Sequence, residues 1–203
     1  MTGIPAFAGK WKDRSGNAPT LQVWDGTTFV PYMWCAPACT GLDKDAWIKG
    51  AVKADVGPTT MLKAGDAVWM TATGLGTGSG EITLAGSVKT EDTAIVTIRA
   101  GEWSMGSNPY PMAYAIKDIV PSFAAFAGKW KDRSGNSPTL QTWDGTTFVP
   151  YMWCAPACTG LAKDAWVTGT TKAETTDTIP AGAGFWFKNV SGEAGTLTFS
   201  FKN

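Results

Sequence analysis

The run WDGTTFVPYMWCAPACTGL occupies residues 143–161 and recurs, letter for letter, at residues 24–42. Asp-Gly at 25–26 and at 144–145 is a dipeptide favoured in tight hairpin turns. β-prone residues flank it, Leu21 to Trp24 before and Thr27 to Tyr32 after, so the stretch reads as a β-hairpin made twice.

The near-identity extends from Ala6 to Gly50, repeated at residues 125–169, with five differences: Ala18/Ser137, Val23/Thr142, Asp43/Ala162, Ile48/Val167 and Lys49/Thr168. Beyond Gly50 the letters diverge but the plan persists. Leu62 to Trp69 answers Ile179 to Trp186, and Glu81 to Leu84 answers Thr196 to Phe199. Two copies at so long a period point to tandem domains rather than a solenoid, whose repeats run about 20–50 residues. Val68 to Thr71, Ile82 to Leu84, Ala94 to Arg99, Phe185 to Lys188 and Leu197 to Phe201 are expected as further strands. Met112 to Val120 has near-helical apolar spacing and is expected as one short helix stopped by Pro121. The fold class is all-β: two tandem, related, β-sandwich-like modules, residues 1–86 and 87–203. The first is expected to be truncated at its N-terminus, because Val88 to Ser122 has no counterpart before Ala6.

Assembled in order, the second repeat reads IRAGEWSMGSNPYP, LQTWDGTTFVPYMW, IPAGAGFWFKN and GTLTFS. It resembles a β-rich repeat module of bacterial surface and secreted proteins, with a Gly-Trp-Asn strand, a Trp-Asp hairpin, a Pro-Gly-x-Gly-Phe-Trp strand and a closing Leu-Thr-Phe strand. It departs from that pattern at Gly101-Glu102-Trp103-Ser104, where Glu is inserted and Asn is absent. The resemblance covers about Val88 to Phe201, and Ala6 to Gly86 in truncated form. It implies an extracellular or particle-surface β-domain with a structural or adhesive role, and it brings no catalytic residues.

Composition narrows the function classes. Lysine plus arginine and aspartate plus glutamate are 17 each, so the basic footprint of a nucleic-acid binder is missing. No apolar run approaches the roughly 20 residues of a membrane-spanning helix. The N-terminal residues lack the charged region and apolar core of a signal peptide, so the expected setting is extracellular, cell-surface or virion without a leader in this chain. The chain has no histidine, which removes the commonest general base and zinc ligand. Triad chemistry is impossible, and no enzymatic activity or cofactor is expected. Asp25, Asp43, Asp45 and Glu81 are scattered carboxylates, and a hydrolase built on them is the weakest reading.

Three groups of residues stand as candidate sites. Cys35/Cys39 and Cys154/Cys158 have C-x₃-C spacing around a proline, whereas redox motifs use C-x₂-C. Two local disulfides rigidifying a projecting loop are the favoured reading; a shared four-cysteine zinc site and buried free thiols are the alternatives. In the repeated KDRSGN, Asp13, Ser15 and Asn17 (with Asp132 heading the second copy) alternate oxygen ligands as a calcium loop does, yet Ser-Gly-Asn is also ordinary turn chemistry. Eleven tryptophans are the strongest compositional feature. Trp69 and Trp186, inside alternating strands, are expected in the core. Trp34 and Trp153, with Tyr32 and Tyr151, are expected to face a partner or a ligand.

The expected function is therefore a structural, self-assembling protein, its partner another copy of itself. Leu197, Phe199 and Phe201 are the expected donor strand, completing the first module's sheet from another chain. A carbohydrate-binding adhesin that stacks sugars on exposed tryptophans is the alternative.

Overall fold

Both copies of the quoted stretch fold as hairpins in a computed structural model that describes residues 4–25, 28–56, 62, 65–71 and 91–201. In the first, β1 (Thr20–Trp24) pairs antiparallel with β2 (Phe29–Cys35), Trp24 opposite Phe29. The Asp25 carboxylate accepts from the Thr28 N–H at 2.7 Å, the side-chain-to-backbone bond that suits aspartate to turns. After β2 comes a single helical turn, α1 (Pro37–Thr40). Proline at its first position has no N–H to leave unpaired, and Gly41 closes it at φ 79 with its N–H on Pro37 O at 2.7 Å. The chain returns as β3 (Ala46–Lys49) beside β2, and β4 (Val68–Thr71) pairs with β1, so the sheet runs β3-β2-β1-β4.

The second unit opens with β5 (Thr93–Ile98), β6 (Trp103–Ser107), β7 (Tyr114–Ala115) and β8 (Val120–Pro121). The hairpin then recurs as β9 (Thr139–Trp143) and β10 (Phe148–Cys154), followed by the turn α2 (Pro156–Thr159) and β11 (Ala165–Thr168). β12 (Thr178–Ile179), β13 (Gly184–Lys188) and β14 (Gly195–Ser200) complete it. β13 takes the place of β4 in the same register: Leu140 faces Phe187 as Leu21 faces Met70. β6 adds a fifth strand, giving β11-β10-β9-β13-β6. A three-stranded sheet, β5-β14-β8, and the pair β12-β7 supply the other layer. Between the layers lie Leu140, Tyr151, Trp166, Phe185 and Phe187 from the first sheet, and Val96, Ile98, Leu197 and Phe199 from the second. Gly106 on β6 lets the layers approach: a Cβ there would sit 2.7 Å from Phe185 Cζ and 2.8 Å from Val96 Cγ1.

The protein is all-β, with antiparallel sheets and only short helical turns. It divides into two units, Met1–Lys63 with Val68–Ser87, and Ala64–Ala67 with Val88–Asn203. Ala64–Ala67, which the repeat places in the first module, belongs to the second unit. There the Ser107 N–H donates to Gly65 O at 2.9 Å and its hydroxyl to Asp66 O at 2.7 Å.

One expected element is absent in the expected form. Met112 to Val120 holds only a 3₁₀ turn, Ile116–Asp118, between β7 and β8. Its apolar residues reach the core from three short pieces rather than from one helical face. The strand expected at Ile82 to Leu84 lies outside the described residues, as does Glu81.

Candidate functional site

The repeated stretch builds a sheet with two faces, and the two faces differ. One carries the cysteines. In the first unit Met33, Cys35, Cys39 and Ile48 are buried with Ala18, under the half-buried rings of Phe7 and Trp11. The second unit repeats this with Met152, Cys154, Cys158, Ala165 and Val167 under Phe126 and Trp130. The cover is local in sequence. The Phe7 N–H donates to Trp34 O at 3.0 Å, and Phe7 O accepts from Ala36 N–H at 3.0 Å. Gly9 permits the ring to fold back, since a Cβ there would lie 2.4 Å from Phe7 Cζ. Arg14 then clamps the lid. Its guanidinium lies 4.0 Å from the centre of the Trp11 ring and donates to Trp11 O at 2.9 Å and to Gly50 O at 2.7 Å. Arg133 does the same with Trp130 and Gly169.

This local lid corrects two expectations. The cysteines are not on a projecting loop: the first of each pair ends a strand, the second lies in the helical turn behind it, and all four are buried free thiols. Cys158 Sγ is 3.3 Å from Cys154 Sγ, a contact between thiols rather than the roughly 2.05 Å of a disulfide. Burial foremost, and then the neighbouring thiol, pushes Cys35 and Cys154 up from an ordinary 9.0 to about 12. Cys35 and Cys154 are therefore protonated core groups at neutral pH. The KDRSGN stretch works through its arginine. Asp13 and Asp132 are exposed, and their backbone oxygens accept from the Asn17 and Asn136 amides at 2.8 and 2.7 Å. Among the described residues no group of three or more Cys, Asp or Glu is placed to hold a metal ion.

The opposite face is aromatic, and here the units diverge. In the second unit Leu140, Tyr151, Trp166, Phe185 and Phe187 are at most 4% exposed. Trp166 Nε1 donates to Ile119 O at 2.9 Å, and the Tyr151 hydroxyl to Asp177 Oδ2 at 2.9 Å. Their counterparts in the first unit, Leu21, Tyr32, Trp47, Val68 and Met70, are all half-buried. Trp34 and Trp153 border this face, and each has a buried indole N–H with no partner among the described residues. Because both units share that feature, it does not mark the difference in cover. Trp69 and Trp186 are not in the core. Trp69 is 43% exposed, and Trp186 meets Trp103 edge-on at 6.4 Å on the outer side. The core tryptophan of the second unit is Trp166, whose place between Ala165 and Val167 on a strand was the available signal.

The expected donor residues are already in use. Leu197 and Phe199 are fully buried, and β14 pairs with β5 over six positions. Two tyrosines pin it. The Tyr114 hydroxyl accepts from the Ser200 N–H at 2.9 Å, and the Tyr110 hydroxyl donates to Phe199 O at 3.1 Å. Phe201 is 37% exposed, with its ring 5.5 Å from that of Tyr110. The strand closes its own unit because apolar residues at 197 and 199 fall on one side.

The second unit also has an open cleft of about 550 Å³, lined by Trp143, Asp144, Tyr151, Asp177 and Thr178 among others. Trp143 is 55% exposed, its ring edge-on to Phe148 at 5.0 Å. Two N–H groups of its own turn, Thr147 and Thr146, hold the Asp144 carboxyl below the usual range. Asp144 is therefore an ionised acceptor and a poor proton donor.

Two buried asparagines, Asn108 and Asn189, have no counterpart among the sequence expectations. The Asn108 amide donates to Met112 O and Ile179 O at 2.7 and 3.0 Å, while its oxygen accepts from the Tyr110 N–H at 3.1 Å. Asn189 likewise donates to Arg99 O and Glu193 O at 2.7 and 2.8 Å. Each ties a loop to a strand end, and the Asn-Pro dipeptide at 108–109 was the visible signal for the first. No protein-family model, curated protein or solved structure matches the chain.

Proposed function

We propose that this chain is a non-enzymatic structural protein that assembles with copies of itself, at a cell surface or in a particle. One observation carries the reading. Five side chains that are sealed in the second unit have first-unit counterparts that are half-buried, in a sheet of the same register. A cluster of partly exposed apolar side chains on one face of a sheet is a frequent mark of a contact surface. The likeness to surface and secreted β-modules agrees with it, as does the absence of histidine. Light scattering on the purified chain over a concentration series, with negative-stain imaging, tests the reading. Assemblies are expected to grow with concentration, and a strictly monomeric chain would end the proposal.

A second reading, glycan binding, is favoured by the cleft beside Trp143. An exposed indole next to the Tyr151–Asp177 pair offers a stacking plane and polar partners for a sugar. Quenching or shift of tryptophan fluorescence by oligosaccharides, lost in Trp143→Ala, would support it. A flat titration across neutral, acidic and amino sugars would remove it.

A further inference from the structure

We infer that the cleft beside Trp143 takes a cationic sugar, an oligosaccharide whose rings carry free ammonium groups; this rests on the glycan-binding reading and names its ligand class. Charge decides the class. Two carboxylates, Asp144 and Asp177, line the cleft, and no lysine or arginine does. Both act on one point inside it. The Tyr151 hydroxyl donates to Asp177 Oδ2 at 2.9 Å. Burial foremost, then that hydrogen bond and the charges of Asp177 and Asp144, raise the hydroxyl from 10.0 to about 12. A group seated there meets the field of two anions with no lining cation to offset it.

Neither carboxylate is used up by its own fold. Asp144 Oδ1 accepts from the Thr146 and Thr147 N–H groups, both at 2.8 Å, and Asp177 Oδ2 accepts from Tyr151. A carboxylate has roughly four lone-pair sites, so each keeps some for a ligand. An ammonium group brings three donors and no acceptor, and its hydrogen bonds to carboxylates are charge-assisted. A neutral hydroxyl makes weaker bonds in the same place, and an acidic sugar is repelled. The remaining lining suits the rest of the molecule. The exposed indole of Trp143 offers a plane for a sugar ring and attracts a cation through its quadrupole. Thr142 and Thr178 add hydroxyls. At about 550 Å³ the cleft lies within the range of small-ligand sites, roughly 300–1,000 Å³.

This polarity belongs to the second unit. Among the five differences between the near-identical copies, one sets Thr142 where the first copy has Val23, and it falls in the cleft, beside the Tyr151 hydroxyl. Asp177 comes from the stretch beyond Gly169, where the copies diverge. Trp24, the counterpart of the exposed Trp143, is half-buried.

Calorimetric titration of the full chain with three trisaccharides tests the assignment: the glucosamine trimer of chitosan, its N-acetylated form, and cellotriose. At about pH 6 the free amines are protonated. The glucosamine trimer is then expected to bind at least ~tenfold more tightly than either neutral trimer, by a margin that shrinks as salt is raised. Asp177→Asn keeps an oxygen to accept from Tyr151 but removes the charge, and Asp144→Asn keeps an acceptor for the turn. Together they are expected to bring the three affinities level. Asp132→Asn, in the lid on the other face of the sheet, removes an equal charge outside the cleft and is expected to change nothing. Thermal melts check that each variant is folded. Equal binding of the three trimers by the unmodified chain, preference for a neutral one, or a preference that survives both cleft substitutions would make the cationic assignment wrong while glycan binding stands. If none of the three binds, both readings fall together.

Discussion

The indole N–H of Trp166 donates to the backbone carbonyl of Ile119 at 2.9 Å, and both residues are sealed inside the second unit. Trp47, on the same strand position of the same repeat, has no such hydrogen bond among the described residues and remains half-buried. One sequence segment thus exists in two environments within one chain, and each serves as a control for the other.

Truncating the two indoles should separate those environments. Trp166→Ala is expected to destabilise the second unit by about 3–5 kcal/mol, a core deletion plus a stranded carbonyl. Trp47→Ala in the first unit should cost only about 1–2 kcal/mol, because part of that ring is already in water. Hydrogen exchange in rising urea, read on peptides unique to each unit, gives the two values. Equal losses would mean that the faces are equally covered.

Alkali should weaken the protein, while at neutral pH the buried thiols stay unreactive. Cys35 and Cys154 are raised from 9.0 to about 12, and Tyr151 from 10.0 to about 12, burial being the leading cause in each. The unfolded chain loses these protons first, so their contribution is complete below about pH 9 and is lost as pH rises from there towards 12. Urea midpoints between pH 8 and pH 11 should fall, and less steeply in Cys35→Ser with Cys154→Ser. At pH 7.5 all four thiols should resist alkylation until denaturant is added, and the intact mass should be that of the reduced chain. A midpoint independent of pH, or a mass short by four hydrogens, would contradict this.

Asn108 is a load on one side chain that alanine cannot carry. Asn108→Ala leaves the Ile179 carbonyl and the Tyr110 N–H without their partner, an expected loss of about 1–3 kcal/mol. Asn108→Asp keeps the acceptor and removes the donor, so it should be no better. Thermal melts of the three proteins compare them directly, and an unshifted alanine variant would show the loop to be held elsewhere.

The closing strand should behave as core. Phe199→Ala is expected to cost about 3–5 kcal/mol, and Phe201→Ala, partly in water, about 1 kcal/mol. A small effect at Phe199 would reopen strand exchange between copies, since a strand so easily lost could be lent.

Some of this was legible in the letters and some was not. The Asp-Gly turn and the two-residue alternation of Leu197 and Phe199 are local, and local chemistry reads directly. Trp186 was misplaced because Phe185-Trp186-Phe187 is apolar at every position, and in a strand a slip of one residue exchanges the faces. Met112 to Val120 carries apolar residues at helical intervals, yet its two ends pair as short strands with β12 and β14, and that tertiary pairing overrides the local period. The C-x₃-C spacing fits a loop bridge as well as a strand end followed by one helical turn, and only the Phe7 lid decides between them. The cover of the aromatic face was illegible for a deeper reason. It depends on β5 and β14, strands far from the hairpin in sequence, and the forty-five residues of each repeat do not encode it.

The pairing of β14 with β5 also has a consequence in time. Phe199 meets Ala94 across a loop of about a hundred residues, whereas each hairpin and its Phe lid close over a few tens. Contacts with short loops form first, so the hairpins should gain protection while β14 is still unpaired. Pulse-labelled hydrogen exchange during refolding should show protection at Leu140 and Tyr151 preceding that at Leu197, and simultaneous protection would refute the order. Until that last strand arrives, Leu140, Tyr151 and Trp166 of a nascent second unit lack the cover that Leu197 and Phe199 give them, and a cell making the protein must keep unfinished copies apart.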